Sequence, residues 1–307
     1  MDSLAPIVLS VIAAATPLLF AAMGELVVEK SGVLNLGVEG MMLGGAVVAF
    51  IVGVETGNGL LAAAAGAAMG MALAFLFAIM VLGLLANQVA TGLALTLFGI
   101  GLSALLGRSY VGTPLPALPK LNIPGLTDIP VLGPILFGQD GLVYLSIALS
   151  GAVAWFLYRS RAGLILRSVG ENPSAAHAIG YPVIRIRLLA VLFGGAMAGL
   201  GGAFLSLSYT PMWAEAMTAG RGWIALALVV FATWQPGKVL LGAYLFGGLT
   251  LAQLHLQSMG IVHIPSQFLN MTPYLATIVV LVVISRDAAR IRLNAPASIG
   301  KVFHPDG

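Results

Sequence analysis

Cysteine is absent from the 307-residue chain. No disulfide framework, thiol nucleophile or Cys-based metal site is therefore available. Charge is scarce as well: Asp, Glu, Lys and Arg make up 8% of residues, against about 25% in an ordinary soluble domain. So few charges cannot cover a water-soluble surface, and a soluble enzyme is excluded. With 59% hydrophobic residues there is ample apolar surface to bury, which excludes disorder. The 39 glycines follow no G-X-Y period, so collagen is excluded. The Walker A pattern G-x-x-x-x-G-K-[ST] is missing: Gly237-Lys238 runs into Val239 and Gly300-Lys301 into Val302. The chain thus lacks the backbone cradle and Lys-Ser/Thr pair that hold a nucleotide and its magnesium. There is no H-E-x-x-H, and neither Ser103 nor Ser206 lies in a G-x-S-x-G setting, so an intramembrane protease finds no support. The first apolar run does not read as a removable signal peptide, since only Asp2 precedes it and Gly24-Glu25-Leu26 is a poor cleavage site. The net charge of +3 is not a nucleic-acid footprint.

What is present is apolar sequence in long runs. A bilayer core needs about 20 apolar residues per helix. No charged residue occurs from Thr56 to Gly107, a run that holds two spans broken near Ala86-Asn87-Gln88. The same reading gives spans near 6–23, 36–54, 59–85, 89–107, 141–158, 188–209, 222–234, 239–257 and 272–285, with 222–234 short enough to be a tilted or partial helix. The expected fold is all-α: a polytopic integral membrane protein of eight or nine transmembrane helices, with residues 1–307 as one domain. With nine spans, eleven of the 14 Lys and Arg residues fall on one side, in the loop 159–187, the tail 286–307 and at Lys30 and Lys238. Arg108, Lys120 and Arg221 fall on the other. The bias predicts that the loop and tail are cytoplasmic. The tail reads as a solvated stop-transfer segment. Residues 108–140 contain six prolines and read as an ordered extracytoplasmic loop.

Several polar segments stand out. In Glu171-Asn172-Pro173-Ser174-Ala175-Ala176-His177-Ala178-Ile179-Gly180, Asn172 reads as an N-cap with Pro173 in the first helical position. Gly180 reads as an αL stop, with Pro182 preventing a restart. Such a short capped helix is either a tidy connection or a rigid lever whose alanines let another protein's groove close around it. Asn35 and Glu39 lie four apart, on one helical face if the helix includes both. A carboxylate beside an apolar span is costly and faces protein, a cavity or an interface. Glu39 therefore either braces a neighbour or lines a translocation path, while Glu25, Glu29 and Lys30 read as a solvated turn. Asn87, Gln88, Thr91 and Thr96 gather at the start of the fourth span, as interhelical hydrogen bonds or as a polar stripe for a solute. Arg221, between glycines and next to Trp223, sits at an expected outer helix start, as an interfacial anchor or on a re-entrant backbone at the outer mouth with Trp213 and Glu215. Trp155 and Trp234 read as an inner interfacial belt. Gln253, His255 and Gln257 read as structural polar groups of the eighth span.

Gly24-Glu-Leu, Ser31-Gly-Val-Leu-Asn-Leu-Gly-Val-Glu-Gly-Met-Met42, Gly163 through Gly180 and Thr218-Ala-Gly-Arg-Gly-Trp-Ile-Ala-Leu-Ala227 resemble the inner-membrane permease subunits of bacterial ABC importers. The branch is that of ribose, simple-sugar and branched-chain amino acid permeases, and the likeness is greatest to permeases for nucleosides or simple sugars. It runs along nearly the whole chain. The resemblance implies two permease subunits, a second one being the sister of this chain, with two cytoplasmic ATPases and an external substrate-binding protein. It makes 172–180 the coupling helix that docks in the ATPase. It places ATP and magnesium on the ATPase, leaving this chain without a cofactor or a catalytic role. It implies a multi-pass location in the bacterial inner membrane. A stand-alone secondary transporter or channel is the alternative, and would want intramembrane carboxylate or histidine pairs.

Overall fold

The apolar runs become helices, and their ends are set by a few polar caps. The computed structural model describes residues 4–121, 124–127, 129, 132–258, 271, 275, 278–279, 282 and 294–304, with side chains described to 253 in the last long segment. Eleven α-helices are formed by these residues: α1 Leu4–Lys30, α2 Val38–Thr56, α3 Gly59–Ala78, α4 Gln88–Gly107, α5 Leu132–Phe137, α6 Gly141–Arg159, α7 Arg161–Glu171, α8 Pro173–Ala178, α9 Val183–Phe204, α10 Arg221–Phe231 and α11 Pro236–Ser258. Asn58, Asn87, Asp140, Ser160 and Asn172 each accept backbone N–H bonds at a helix start, satisfying donors that have no partner within the helix. Short π turns extend α3 to Gly83 and α9 to Tyr209.

Among the described residues, α1, α2, α3, α4, α6 and α9 are long and apolar enough to cross a bilayer. The expected span 239–257 forms α11, whereas 272–285 lies largely outside the described residues. The expected span 222–234 is a half-helix: α10 has 11 residues, about 16 Å at the α-helical rise, against a hydrocarbon core of about 30 Å. The first helix runs seven residues past its expected end, carrying Glu25 and Glu29 into the bundle at 1% exposure each. They are not a solvated turn.

Helices alternate between two faces. The basic face holds Lys30, α7, α8, Arg187 and residues 294–304. The opposite face holds the α2–α3 turn, Tyr110 and the segment leading to α6, where Leu121 N–H bonds the Gln139 carbonyl at 2.9 Å. Residues 294–304 are only partly solvated: Ala297, Gly300, Lys301, Val302 and His304 are exposed, while others pack into the basic face. Ser298 and Phe303 are buried, and Lys30 Nζ donates to the Asn294 carbonyl at 2.7 Å. The part of the tail at 286–293 lies outside the described residues.

At the centre α9 packs on α1, α2 and α3. Between apolar helices in lipid there is no hydrophobic drive to associate, so close van der Waals approach must serve. The sequence supplies it by removing side chains: Gly45 meets Gly199 backbone to backbone, with a Cβ on Gly45 falling 2.5 Å from the Gly199 Cα, and a Cβ on Gly199 would overlap the Gly66 carbonyl. Gly199→Leu is therefore expected to separate α2, α3 and α9. Overpacking of this kind costs about 1–3 kcal/mol or more, and should appear as a lower thermal midpoint and reduced monodispersity of the purified chain.

Candidate functional site

The irregular stretch 210–220 follows the end of α9 away from the basic face and leads back into the bundle. It is bent by left-handed backbone at Ala216 (φ 54°), Ala219 (φ 49°) and Gly220 (φ 79°). It ends where α10 begins, against Glu39. One Glu39 oxygen accepts from Thr218 Oγ1 at 2.6 Å and Gly220 N–H at 2.8 Å; the other accepts from Gly222 N–H at 2.6 Å. Glu39 is 6% exposed. The carboxylate thus caps α10 from another helix, meeting both the unpaired donors and the positive end of the dipole. Gly222 is required for the approach, since a Cβ there would lie 2.6 Å from Glu39 backbone atoms.

Depth follows from α4. Gly40 packs on Gly99, the twelfth residue of the 23-residue span Gln88–Tyr110. Glu39 and the start of α10 are therefore near mid-membrane, not at the outer mouth expected for Arg221. A helix that starts at mid-depth leaves the preceding chain irregular inside the bilayer, tolerated only against protein or water. Arg221 Nη1 donates to the Thr218 carbonyl at 3.1 Å, and the guanidinium lies 5.5 Å from the centroid of Tyr209. It clamps the re-entrant backbone. Ala214, Glu215, Ala216 and Ala219 remain exposed, as does Trp223 at 36%. Trp213 is buried against Ala46, Val47 and Phe50 instead of lining a mouth.

Asn35 and Glu39 do not share a helical face, because α2 starts only at Val38. Asn35 sits in the preceding turn, where its Oδ1 accepts from Gly37 N–H at 2.9 Å and its own N–H donates to Glu25 Oε1 at 3.2 Å. Of the polar group on α4, Gln88 and Thr96 serve that same turn. Gln88 Oε1 accepts from Leu34 N–H at 2.7 Å, and Thr96 Oγ1 donates to the Leu36 carbonyl at 2.9 Å. Asn87 is an exposed N-cap and Thr91 is half-buried. The far end of α10 is held too: Trp234 Nε1 donates to Glu29 Oε2, and Trp234 is buried, not part of an interfacial belt. Trp155, by contrast, is 63% exposed. The side chains of His255 and Gln257 lie outside the described residues.

On the basic face, α8 has the caps its sequence specifies. Asn172 Oδ1 accepts from Ala175 N–H at 3.0 Å with Pro173 in the first turn. At the other end Gly180 has φ 93°; its N–H bonds the His177 carbonyl at 2.8 Å and Tyr181 N–H bonds the Ala176 carbonyl at 3.1 Å. These two bonds form a Schellman closure. Ser174, Ala175, His177 and Ala178 are exposed and Ile179 is 73% exposed, whereas Ala176 is buried at 3% against Val169, Val183 and Phe303. The outward face is therefore Ala175, Ala178 and Ile179, without Ala176. Glu171 faces the tail, accepting from Ala297 N–H at 3.4 Å. A separate groove of about 670 Å³ between α6, α7 and α9 is lined by apolar side chains such as Phe156, Ile165 and Phe193. It offers nothing to a polar solute.

Sequence reasoning missed Glu25, Glu29 and Thr218 as intramembrane partners, and Arg187, Ser298 and Phe303 as a cluster. For the carboxylates a signal existed: Glu25 and Glu29 are four apart and contiguous with an apolar run. For the cluster there was none, since Arg187 lies 111 residues from Ser298.

Residues 7–284 match the family described as branched-chain amino acid transport system / permease component. A protein described as a glucose ABC transporter permease, from Haloferax volcanii, is 42% identical over 93% of this chain and 93% of its own length. A nucleoside ABC transporter permease of Lactococcus lactis is 34% identical over 92% of each chain. A second glucose ABC transporter permease of the same Haloferax is 28% identical over 77% of this chain and 66% of its own.

Replacing Glu39 by Ala leaves three donors unpaired, two of them buried, each buried one costing about 1–3 kcal/mol. The expected outcome is faster proteolysis within 210–220 and loss of solute uptake, with Glu39→Gln intermediate because its amide keeps one acceptor oxygen. Equal protease resistance in Glu39→Ala and the parent would remove the cap from the account.

Proposed function

Because this chain belongs to the family of branched-chain amino acid transport system / permease components, we propose that it forms half of the translocation path of an ABC importer for an uncharged polar solute, a nucleoside or a simple sugar. It is a multi-pass membrane protein and a permease component, a transport subunit and not an enzyme. The observation that carries the path is the irregular segment 210–220. It carries exposed Glu215 and Ala219, and its end at Glu39 reaches mid-membrane, where such a segment needs water or protein beside it. The solutes named for the relatives, glucose and nucleosides, support the substrate class. Two distinct glucose permeases in one Haloferax support a heterodimer with a sister permease.

In this reading the basic face is cytoplasmic, as the Lys/Arg bias requires, and the membrane is the bacterial inner membrane. An ATPase subunit that binds ATP and magnesium docks on α8, through Ala175, Ala178 and Ile179. A substrate-binding protein delivers solute to the opposite face, at 108–140. Of the residues singled out from the sequence, Arg221, Trp223 and Glu39 stay with the path, the last as the brace that holds it. Asn35 and Gln88 are assigned to its support, whereas Asn87 caps α4 and Thr91 is given no part in it.

Three measurements test this. In cells carrying the complete system, uptake of labelled guanosine or glucose should require ATP. Uptake that persists without ATP and follows a proton or sodium gradient would instead make the chain a secondary transporter. Lys120→Cys, the introduced cysteine being the only thiol, should react with an impermeant maleimide in intact cells, and Ala178→Cys only after permeabilisation. The opposite pattern inverts the orientation. Ile179→Asp should insert normally, since it touches no span, yet lose roughly tenfold or more in ATPase co-purification, as expected when a charge enters an apolar contact of an interface. Undiminished co-purification and uptake would move the docking site elsewhere.

A further inference from the structure

The tail residues 294–304 make contacts that energy coupling through α8 alone does not need. Phe303 is buried with Ala176 on the inward side of α8 and with Val169 and Val183 on the flanking helices. His177 meets its ring edge-on, 5.6 Å between centroids. Two residues earlier, the Lys301 carbonyl accepts from both Arg187 Nη1 at 3.3 Å and Gln88 Nε2 at 3.4 Å, joining α9 to α4. Gly300, at φ 72°, turns the chain so that its N–H reaches the Gly32 carbonyl at 3.2 Å. Ser298 Oγ donates to the Gly170 carbonyl at 2.6 Å and accepts from Arg187 Nη2 at 3.1 Å, while Arg187 Nε donates to the Ser31 carbonyl at 3.1 Å. Arg187 is 1% exposed, so its guanidinium is committed to these partners.

Followed outward, these contacts form one connected series. It passes from α8 to Phe303, from Lys301 to Gln88, and from Gln88 to Leu34 in the turn before α2. That turn leads within five residues to Glu39, which holds the start of α10 at mid-membrane. By the covalent chain alone α8 connects only to α6 through α7 and to α9.

We propose that residues 298–303 are a strap that transmits displacement of α8 to the turn at 31–37 and to α4, with Ser298 and Phe303 as positioning residues for energy coupling. The proposal rests on the reading of α8 as the ATPase contact. A burial-only role for Phe303 would require packing volume but no coordinated motion. The strap requires that α8 and the start of α4 keep a fixed relation. Energetic coupling of this kind is established by showing that one element's position constrains another's, beyond their lying in between.

The test has one arm that does not involve an ATPase. Spin labels on Ala175→Cys and Asn87→Cys, both exposed and placed in a chain with no other thiol, report the distance from α8 to the start of α4 in the full-length chain in lipid. The parent should give one narrow distance, and Phe303→Ala and Ser298→Ala a broadened one. Phe303→Leu, which refills the space, should restore it. In the second arm, the variants are assembled with the ATPase and binding protein in liposomes. ATP hydrolysis should continue while guanosine or glucose moved per ATP falls about twofold to thirtyfold, the span that residues along a coupling route command. Phe303→Leu should recover most of it. If Phe303→Ala does not insert, Ser298→Ala decides, since it removes only a hydroxyl. Unchanged distances together with an unchanged transport ratio overturn the strap. A parent chain that engages no ATPase overturns the reading of α8, and the label distances then still decide whether the tail ties α8 to α4.

Discussion

A single carboxylate, Glu39, holds the internal architecture of this protein together at mid-membrane. A helix starting inside a bilayer exposes backbone donors that water would otherwise satisfy. Here two of them, Gly220 and Gly222 N–H, and the Thr218 hydroxyl are satisfied by the two oxygens of one side chain. The irregular chain 210–220 can then exist at that depth, and the half-helix α10 can exist after it. The same demand fixes Gly222, where any side chain would strike the α2 backbone. At the other end, Trp234 donates to Glu29 of α1, in a turn where Thr233 and Trp234 both have positive φ. A half-helix too short to span is thus located by carboxylates from α1 and α2, both long and apolar enough to cross a bilayer.

The turn at 31–37 shows how polar groups near the basic face are spent on backbone. Leu34 N–H, Leu36 C=O and Asn35 N–H are met by Gln88, Thr96 and Glu25. The polar side chains that stand out in an apolar sequence thus satisfy the donors and acceptors that irregular chain leaves behind, as a medium without water demands. Polarity on an apolar helix therefore locates the irregular segments as well as any solute.

How much of this was legible in the sequence depended on whether the signal was local. The caps of α8 were: Asn172, Pro173 and Gly180 each act within five residues. Long spans were legible too, because their length is set by the bilayer. The half-helix was legible as too short, but its depth was not, since that follows from Gly40 lying on Gly99 across two helices. Glu25 and Glu29 were misread because charge directly after an apolar run suggests a solvated turn, and nothing local announces Trp234 as a partner. Ala176 was misassigned because six residues of helix carry too little pattern to tell an inward alanine from an outward one. In the tail, the burial of Ser298 and Phe303 was missed because charge suggests water, whereas the clustering of Ser298, Lys301 and Phe303 on Arg187 and α8 exists only after folding.

The glycine contacts among α2, α3 and α9 have a thermodynamic consequence. Cohesion built on backbone approach in lipid draws on dispersion and weak C–H···O contacts, with no water released when the surfaces meet. It lacks the heat-capacity signature of apolar burial from water and does not weaken on cooling as that term does. The solvent that competes for these surfaces is the acyl chain. The integrity of the bundle's centre is then governed by what can wedge between helices, so a short, mobile detergent tail threatens it more than cold does.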